Sequence, residues 1–210
     1  MRKIPDGFGF YGILTNPVRG YEYTANVLVQ AGVRFLQLRM KNTDDDEILR
    51  NAEKIRKITE GTGTLFILND SPALARKSGA DGVHLGQRDT RPDEALAILG
   101  DDAIIGISTH NPAQTALACL QGPTYIGTGP VFPTPTKAVP DPAIGLDGLS
   151  RMLSLATLPA VAIGAVDALN LREVLRAGAR NFSCVRPVNS DKNPEQALSV
   201  LLRVYREELG

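Results

Sequence analysis

Residues 65–85 read LFILNDSPALARKSGADGVHL, and the fold turns on this stretch. Leu65–Asn69 is a short apolar run of strand length, and Gly82–Leu85 is a second one. Between them Ser71–Ser78 has helical character, and Gly79 follows it where a left-handed helix stop belongs. A strand, a short helix and another strand in so few residues form a unit whose two strands run parallel.

The same alternation extends in both directions. Six further strands are predicted at Phe10–Thr15, Phe35–Arg39, Ile104–Ser108, Tyr125–Gly129, Ala160–Ile163 and Phe182–Val185. Helical segments are predicted over Tyr21–Ala31, Asp44–Glu60, Arg91–Leu99, Pro112–Leu120, Leu146–Leu155, Ala168–Ala177 and Pro194–Glu208. The last has Ala197, Leu198, Leu201, Leu202 and Tyr205 on one face, with Asn193 as its cap and Pro194 in its first turn. Gly32 and Gly178, like Gly79, stand between a helix and the strand that follows. Eight strand–helix units in 210 residues are the count for a single (β/α)8 barrel over residues 1–210, with a doubly wound sheet as the runner-up. The alternation runs to the C-terminus with no linker for a second domain.

Composition narrows the function classes. Lysine plus arginine and aspartate plus glutamate each number 23, so the formal net charge is zero. Without a basic excess the chain has no electrostatic footprint for nucleic acid or an anionic membrane, and an anionic ligand must be held by locally placed cations. No segment reaches the ~20 apolar residues of a membrane helix, and Pro5, Asp6 and Gly7 interrupt the N-terminus before a secretory apolar run develops. Cys119 and Cys184 are far apart and form no CxxC pair, so they read as thiols rather than as a zinc site or a disulfide. The expected setting is cytoplasmic. A homo-oligomer is compatible with the sequence, which gives no sign of its order.

In a barrel of this kind the active site lies at the C-terminal ends of the strands. The second strand ends in QLRMK, where period-two alternation sends Gln37, Arg39 and Lys41 to one side. The third ends in Asn69-Asp70, and the fourth runs through GVHLGQRD to Asp89. Taken alone, Asp70 reads as a cap before Ser71-Pro72, and Asp89 as a cap for the helix at Arg91. Their common rim beside Arg39 and Lys41 gives equal standing to a second reading, in which both carboxylates hold Mg²⁺ together with water and a substrate phosphate. Ser108 and His110 end the fifth strand. The sixth strand continues into YIGTGPVFPTPTK, whose glycines and prolines make the stretch beyond it a loop, with Thr134, Thr136 and Lys137 available to an anion. Gly164-Ala165 and Arg186 follow the seventh and eighth strands, where barrels frequently build phosphate sites. His84 reads as a hydrogen-bonded interior residue, and His110 as a residue that begins a helix. No Ser/His/Asp or Cys/His constellation is suggested, so acyl transfer is disfavoured.

QLRMK at 37–41, ND at 69–70, GVHLGQRD at 82–89, GIST with His110 at 106–110 and YIGTGPVFPTPTK at 125–137 together resemble the thiamine phosphate synthase and thiazole tautomerase family, in its order and spacing. The resemblance implies a (β/α)8 barrel that condenses hydroxymethylpyrimidine diphosphate with hydroxyethylthiazole phosphate, two small-molecule substrates. It also implies roles for individual residues. Gln37, Arg39, Lys41 and Asn69 would contact the pyrimidine diphosphate, Asp70 and Asp89 would hold Mg²⁺, and Ser108 and Lys137 would complete the diphosphate site. Thr134, Thr136 and Gly164 would contact the thiazole phosphate.

Two departures from the family pattern stand out. Ala165 occupies a position where the family commonly has glycine, which is costly if that residue needs a positive φ. Arg186-Pro187 replaces a Ser-Ala pair, so Arg186 would either bind the same phosphate or alter the acceptor. The alternative reading is a homologue that is not a synthase: a thiazole tautomerase, or a protein with a different acceptor. A tautomerase needs an acid or base in place of leaving-group machinery, and Ser108 with both aspartates argues against it.

Overall fold

The computed structural model describes residues 3–134 and 141–210. Eight parallel strands close into a barrel in sequence order: β1 (Gly9–Leu14), β2 (Phe35–Leu38), β3 (Leu65–Asn69), β4 (Gly82–Leu85), β5 (Ile104–Thr109), β6 (Tyr125–Thr128), β7 (Ala160–Ala162) and β8 (Asn181–Phe182). The helices between them are α1 (Tyr21–Gln30), α2 (Asp45–Thr59), α3 (Pro72–Ser78), α4 (Pro92–Leu99), α5 (Pro112–Gln121), α6 (Gly145–Leu155) and α7 (Leu171–Arg176). Then α8 (Arg186–Asn189) and α9 (Pro194–Leu209) end the chain. The doubly wound alternative is excluded because β1 pairs with β8, at Gly9 with Asn181 and Phe10 with Phe182.

Strand periodicity divides the core in two. Tyr11, Ile13, Phe35, Leu65, Ile67, Ile104, Tyr125 and Val161 fill the barrel interior, with Ile4 and Phe8 packed against them. The residues between them in sequence, such as Phe10, Leu36, Phe66 and Leu68, face the helices. Gly79 ends α3 with φ 68°, the left-handed stop expected of it.

Three local expectations are corrected. β8 stops at Phe182 instead of Val185, because the chain turns at once into α8, where Pro187 in the first turn has no N–H to leave unsatisfied. α7 starts at Leu171, not Ala168, because Asp167 Oδ1 accepts hydrogen bonds from the N–H groups of Leu169 and Asn170 and holds that stretch in a turn. Asn193 occupies the cap position of α9, but its side chain makes no capping bond.

Candidate active site

The C-terminal ends of the strands open into a cavity of about 1370 Å³. Gln37, Arg39, Lys41, Asn69, Asp70, Asp89, Ser108, Thr134, Gly164 and Arg186 all lie on its wall. Thr136 and Lys137 lie outside the described residues.

Neither rim aspartate is a helix cap. Ser71 caps α3 by accepting from the N–H of Leu74, and Arg91 occupies the cap position of α4. Asp70 sits in the left-handed region at φ 67° with its carboxylate paired to the Lys41 ammonium. Asp89 Oδ2 accepts from the N–H of Gly86 at 2.6 Å. Burial pushes the Asp70 carboxyl above its ordinary range; Lys41 opposes this and the neighbouring Asp89 carboxylate adds to it. Burial lowers the Arg39 guanidinium, and the charge of Asp70 counteracts it. Two close carboxylates, of which Asp89 adds to the cost of ionising Asp70 while the Lys41 ammonium offsets it, form a donor set suited to a hard divalent cation. Among the described residues no cluster of three or more histidine, cysteine, aspartate or glutamate side chains could hold a metal, so such an ion would take its remaining oxygens from ligand and water.

Beneath the rim a chain of hydrogen bonds crosses the barrel. Gln37 Nε2 donates to Tyr11 OH at 3.1 Å, and Tyr11 OH is 2.6 Å from Tyr125 OH. Tyr125 OH is 3.0 Å from His84 Nδ1, and His84 Nε2 is 2.9 Å from Ser108 Oγ. Burial holds both phenols well above their ordinary values, so they keep their protons. The amide nitrogen can only donate, and the chain runs in one direction when Tyr11 donates to Tyr125 and Tyr125 to His84 Nδ1. In that arrangement His84 is the Nε2–H tautomer and donates to Ser108, whose own proton is left for a ligand in the cavity. Gln87 Nε2 fixes the same residue through its backbone carbonyl at 2.6 Å.

The sequence reading of His84 as an interior hydrogen-bonded residue is borne out, but it missed Tyr11 and Tyr125. The available signal was Gly106, two residues before Ser108. A Cβ there would lie 2.2 Å from Tyr125 Cζ and 2.6 Å from His84 Nδ1, so only glycine leaves room for their bond. His110 precedes the Asn111 cap of α5 and ties two loops together instead. Its Nδ1 donates to the Gly129 carbonyl at 2.6 Å, and its Nε2 is 3.4 Å from Asp141 Oδ2.

The far side of the cavity is built from backbone. The N–H groups of Val131 and Phe132 donate to the carbonyls of Ile163 and Gly164, fastening the loop after β6 to the end of β7. Gly164 has φ 109°, and a Cβ there would meet Pro130 Cα at 2.4 Å. Ala165 adopts φ 48°, so the alanine does occupy a conformation that favours glycine. Arg186 opens α8 beside this turn. Both cysteines are free, with Cys184 buried, and no described helix is long and apolar enough to cross a membrane.

Residues 16–188 match the family model described as thiamine monophosphate synthase. A thiamine-phosphate synthase of Caldicellulosiruptor saccharolyticus is 38% identical over 86% of this chain and 81% of its own length. One from Synechocystis sp. is 40% identical over 90% of this chain, which spans only 55% of that longer relative. Among solved structures, the thiamine phosphate pyrophosphorylase from Pyrococcus furiosus superposes with a TM-score of 0.89, at 28% identity and over 98% of both chains. A 3-hexulose-6-phosphate synthase at 16% identity and a TM-score of 0.70 shares the fold alone.

Proposed function

The chain belongs to the thiamine monophosphate synthase family, and from that premise we propose that it joins hydroxymethylpyrimidine diphosphate to hydroxyethylthiazole phosphate, giving thiamine phosphate and pyrophosphate. The observation that carries this reading is the meeting of Arg39, Lys41, Asp70 and Asp89 on one rim above Ser108.

Pyrophosphate leaves from a methylene on an electron-rich aminopyrimidine, so negative charge grows on the leaving oxygens while the carbon becomes cationic. Arg39 and Lys41 face that developing charge, and the half-buried setting of Arg39 strengthens its attraction. The free proton of Ser108, aimed by the His84 donor behind it, adds a hydrogen bond to the diphosphate. Asp70 and Asp89 would hold Mg²⁺, which when bound neutralises diphosphate charge and orients the leaving group. Gln37 and Asn69 would orient the pyrimidine, while Thr134, Gly164 and Arg186 would hold the thiazole phosphate. Outside the described residues, the family resemblance assigns Lys137 to the diphosphate and Thr136 to the thiazole phosphate. The thiazole nitrogen then attacks the cationic carbon with its own lone pair, so no protein nucleophile is required. Free thiols suit the reducing cytoplasm, where we place the protein.

The test is pyrophosphate release measured with both substrates and with each omitted in turn. Release that requires both, with thiamine phosphate formed in equal amount, is the expected result. Release without the thiazole phosphate, or no product at all, would overturn the reading.

A further inference from the structure

Among the described residues two buried side-chain polar atoms have no hydrogen-bond partner, Thr128 Oγ1 and Ser183 Oγ, and of these residues only Ser183 lies on the cavity wall. Ser183 is 1% exposed. It follows β8 directly, and its N–H continues the ladder to the Ala162 carbonyl at 2.9 Å. Phe182 and Cys184 on either side of it pack toward the helices, so alternation turns Ser183 to the barrel interior. Continuing the strand registers brings Ser183 level with Tyr11 on β1 and with Ile163 just beyond β7, with Val161 below and Val185 above. The aliphatic side chains offer nothing polar, and the Tyr11 hydroxyl is already engaged by Gln37 and Tyr125. A buried hydroxyl left in this state is costly unless a ligand completes it.

We propose that Ser183 is a specificity-determining contact for the aminopyrimidine ring, its hydroxyl donating to a ring nitrogen. This rests on the synthase reading above. Three arguments select that ligand. A neutral hydroxyl deep in an apolar wall suits a neutral heteroatom, whereas phosphate charge is met at the rim by Arg39, Lys41 and Arg186. Gln37 on β2 stands in register with Ile13 and reaches the Tyr11 hydroxyl from one side, while Ser183 beyond β8 comes level with Tyr11 on the other, so a ring resting on Tyr11 and touching one can touch the other. The thiazole nitrogen must keep its lone pair for attack, so a hydroxyl donating to it would oppose the reaction.

The test compares the parent protein with Ser183→Ala by calorimetric titration with hydroxymethylpyrimidine diphosphate and Mg²⁺, and separately with hydroxyethylthiazole phosphate. Loss of one neutral hydrogen bond should weaken the pyrimidine Kd roughly 3- to 15-fold and change the thiazole Kd by less than about 2-fold. The ligand-free variant should melt no lower than the parent, because an unsatisfied hydroxyl is removed. An unchanged pyrimidine Kd, weakening confined to the thiazole phosphate, or a lower melting temperature without ligand overturns the Ser183 assignment alone. A parent protein that binds no pyrimidine diphosphate overturns the assignment together with the synthase reading.

Discussion

His84 Nε2 lies 2.9 Å from Ser108 Oγ, and Tyr125 on its other side makes it a donor. Tyr125→Phe removes the acceptor of the Tyr11 proton and the donor to His84 Nδ1, freeing the imidazole to change tautomer. Chemical denaturation should show a loss of about 1–3 kcal/mol of stability. In steady-state kinetics kcat should fall about tenfold, as expected when a bond aimed at the leaving group is misdirected. Unchanged kcat would dissociate the relay from Ser108.

Ala165 at φ 48° stores backbone strain between β7 and α7. Its carbonyl accepts from Asn170 Nδ2 at 3.0 Å, which glycine would preserve. Ala165→Gly should therefore raise the unfolding free energy by about 0.5–1 kcal/mol, read from the denaturant midpoint, even though glycine normally loosens a chain. A loss of stability would mean that the methyl packs better than the dihedral strain costs.

The strand–helix alternation made the barrel legible because Leu65–Asn69 and Gly82–Leu85 were too short and too apolar to be anything but buried strands. The rim was legible for a related reason: a polar residue that ends an apolar strand has only the barrel mouth to face, as Gln37, Asn69 and Ser108 do. The interior relay was not. Tyr11 and Tyr125 look like ordinary core aromatics, and only closure of the barrel brings residues so distant in sequence within 2.6 Å. Asp70 was ambiguous because its neighbour Ser71 supplies the cap, a choice between adjacent residues that local pattern does not make. Ser183 went unnoticed because a small hydroxyl in a strand is common, and its lack of a partner is a property of three dimensions.

The junction of α7 and α9 gives a pH prediction with a defined sign. Glu208 accepts from Arg176 Nε at 2.6 Å and from Arg172 at 3.3 Å, and the hydrogen bond from Arg176 foremost lowers its carboxyl below the ordinary value of about 4.5. A depressed carboxyl contributes stability that is present above the unfolded value and lost as pH falls through the folded one. Glu208→Gln should lower the melting temperature by about 1–3 °C at pH 7. The difference should shrink as pH falls below about 4.5 and close once the folded-state value is passed, and it should shrink in 1 M salt. A gap that persists in acid would show the loss to be one of packing.

Arg186 lines the cavity beside Gly164 and Ala165, and among the described residues it has no carboxylate partner. A guanidinium held this way is ready for a dianionic phosphate. Arg186→Ala should raise the KM for hydroxyethylthiazole phosphate at least about tenfold, the value of a charge-assisted hydrogen bond, and leave the KM for the pyrimidine diphosphate within about twofold. Equal effects on both substrates would remove Arg186 from the acceptor site.

Asp70 and Asp89 can be removed without breaking a helix cap, since Ser71 caps α3 and the bond from Gly86 to Asp89 lies within one exposed turn; alanine at Asp70, with φ 67°, adds only a local backbone strain. Asp70→Ala and Asp89→Ala should therefore keep the circular dichroism of the parent while Mg²⁺-dependent pyrophosphate release falls by about 100-fold or more. The two losses should differ in character. Asp70 also engages Lys41, so its removal frees the ammonium to approach the diphosphate directly and preserves part of the charge neutralisation. Asp89→Ala leaves Lys41 bound to Asp70 and relieves only the like-charge repulsion that raises the Asp70 carboxyl. Titrating Mg²⁺ against rate should accordingly show weaker Mg²⁺ dependence for Asp70→Ala than for Asp89→Ala. Parental Mg²⁺ affinity in either variant would defeat the assignment of that carboxylate to the metal.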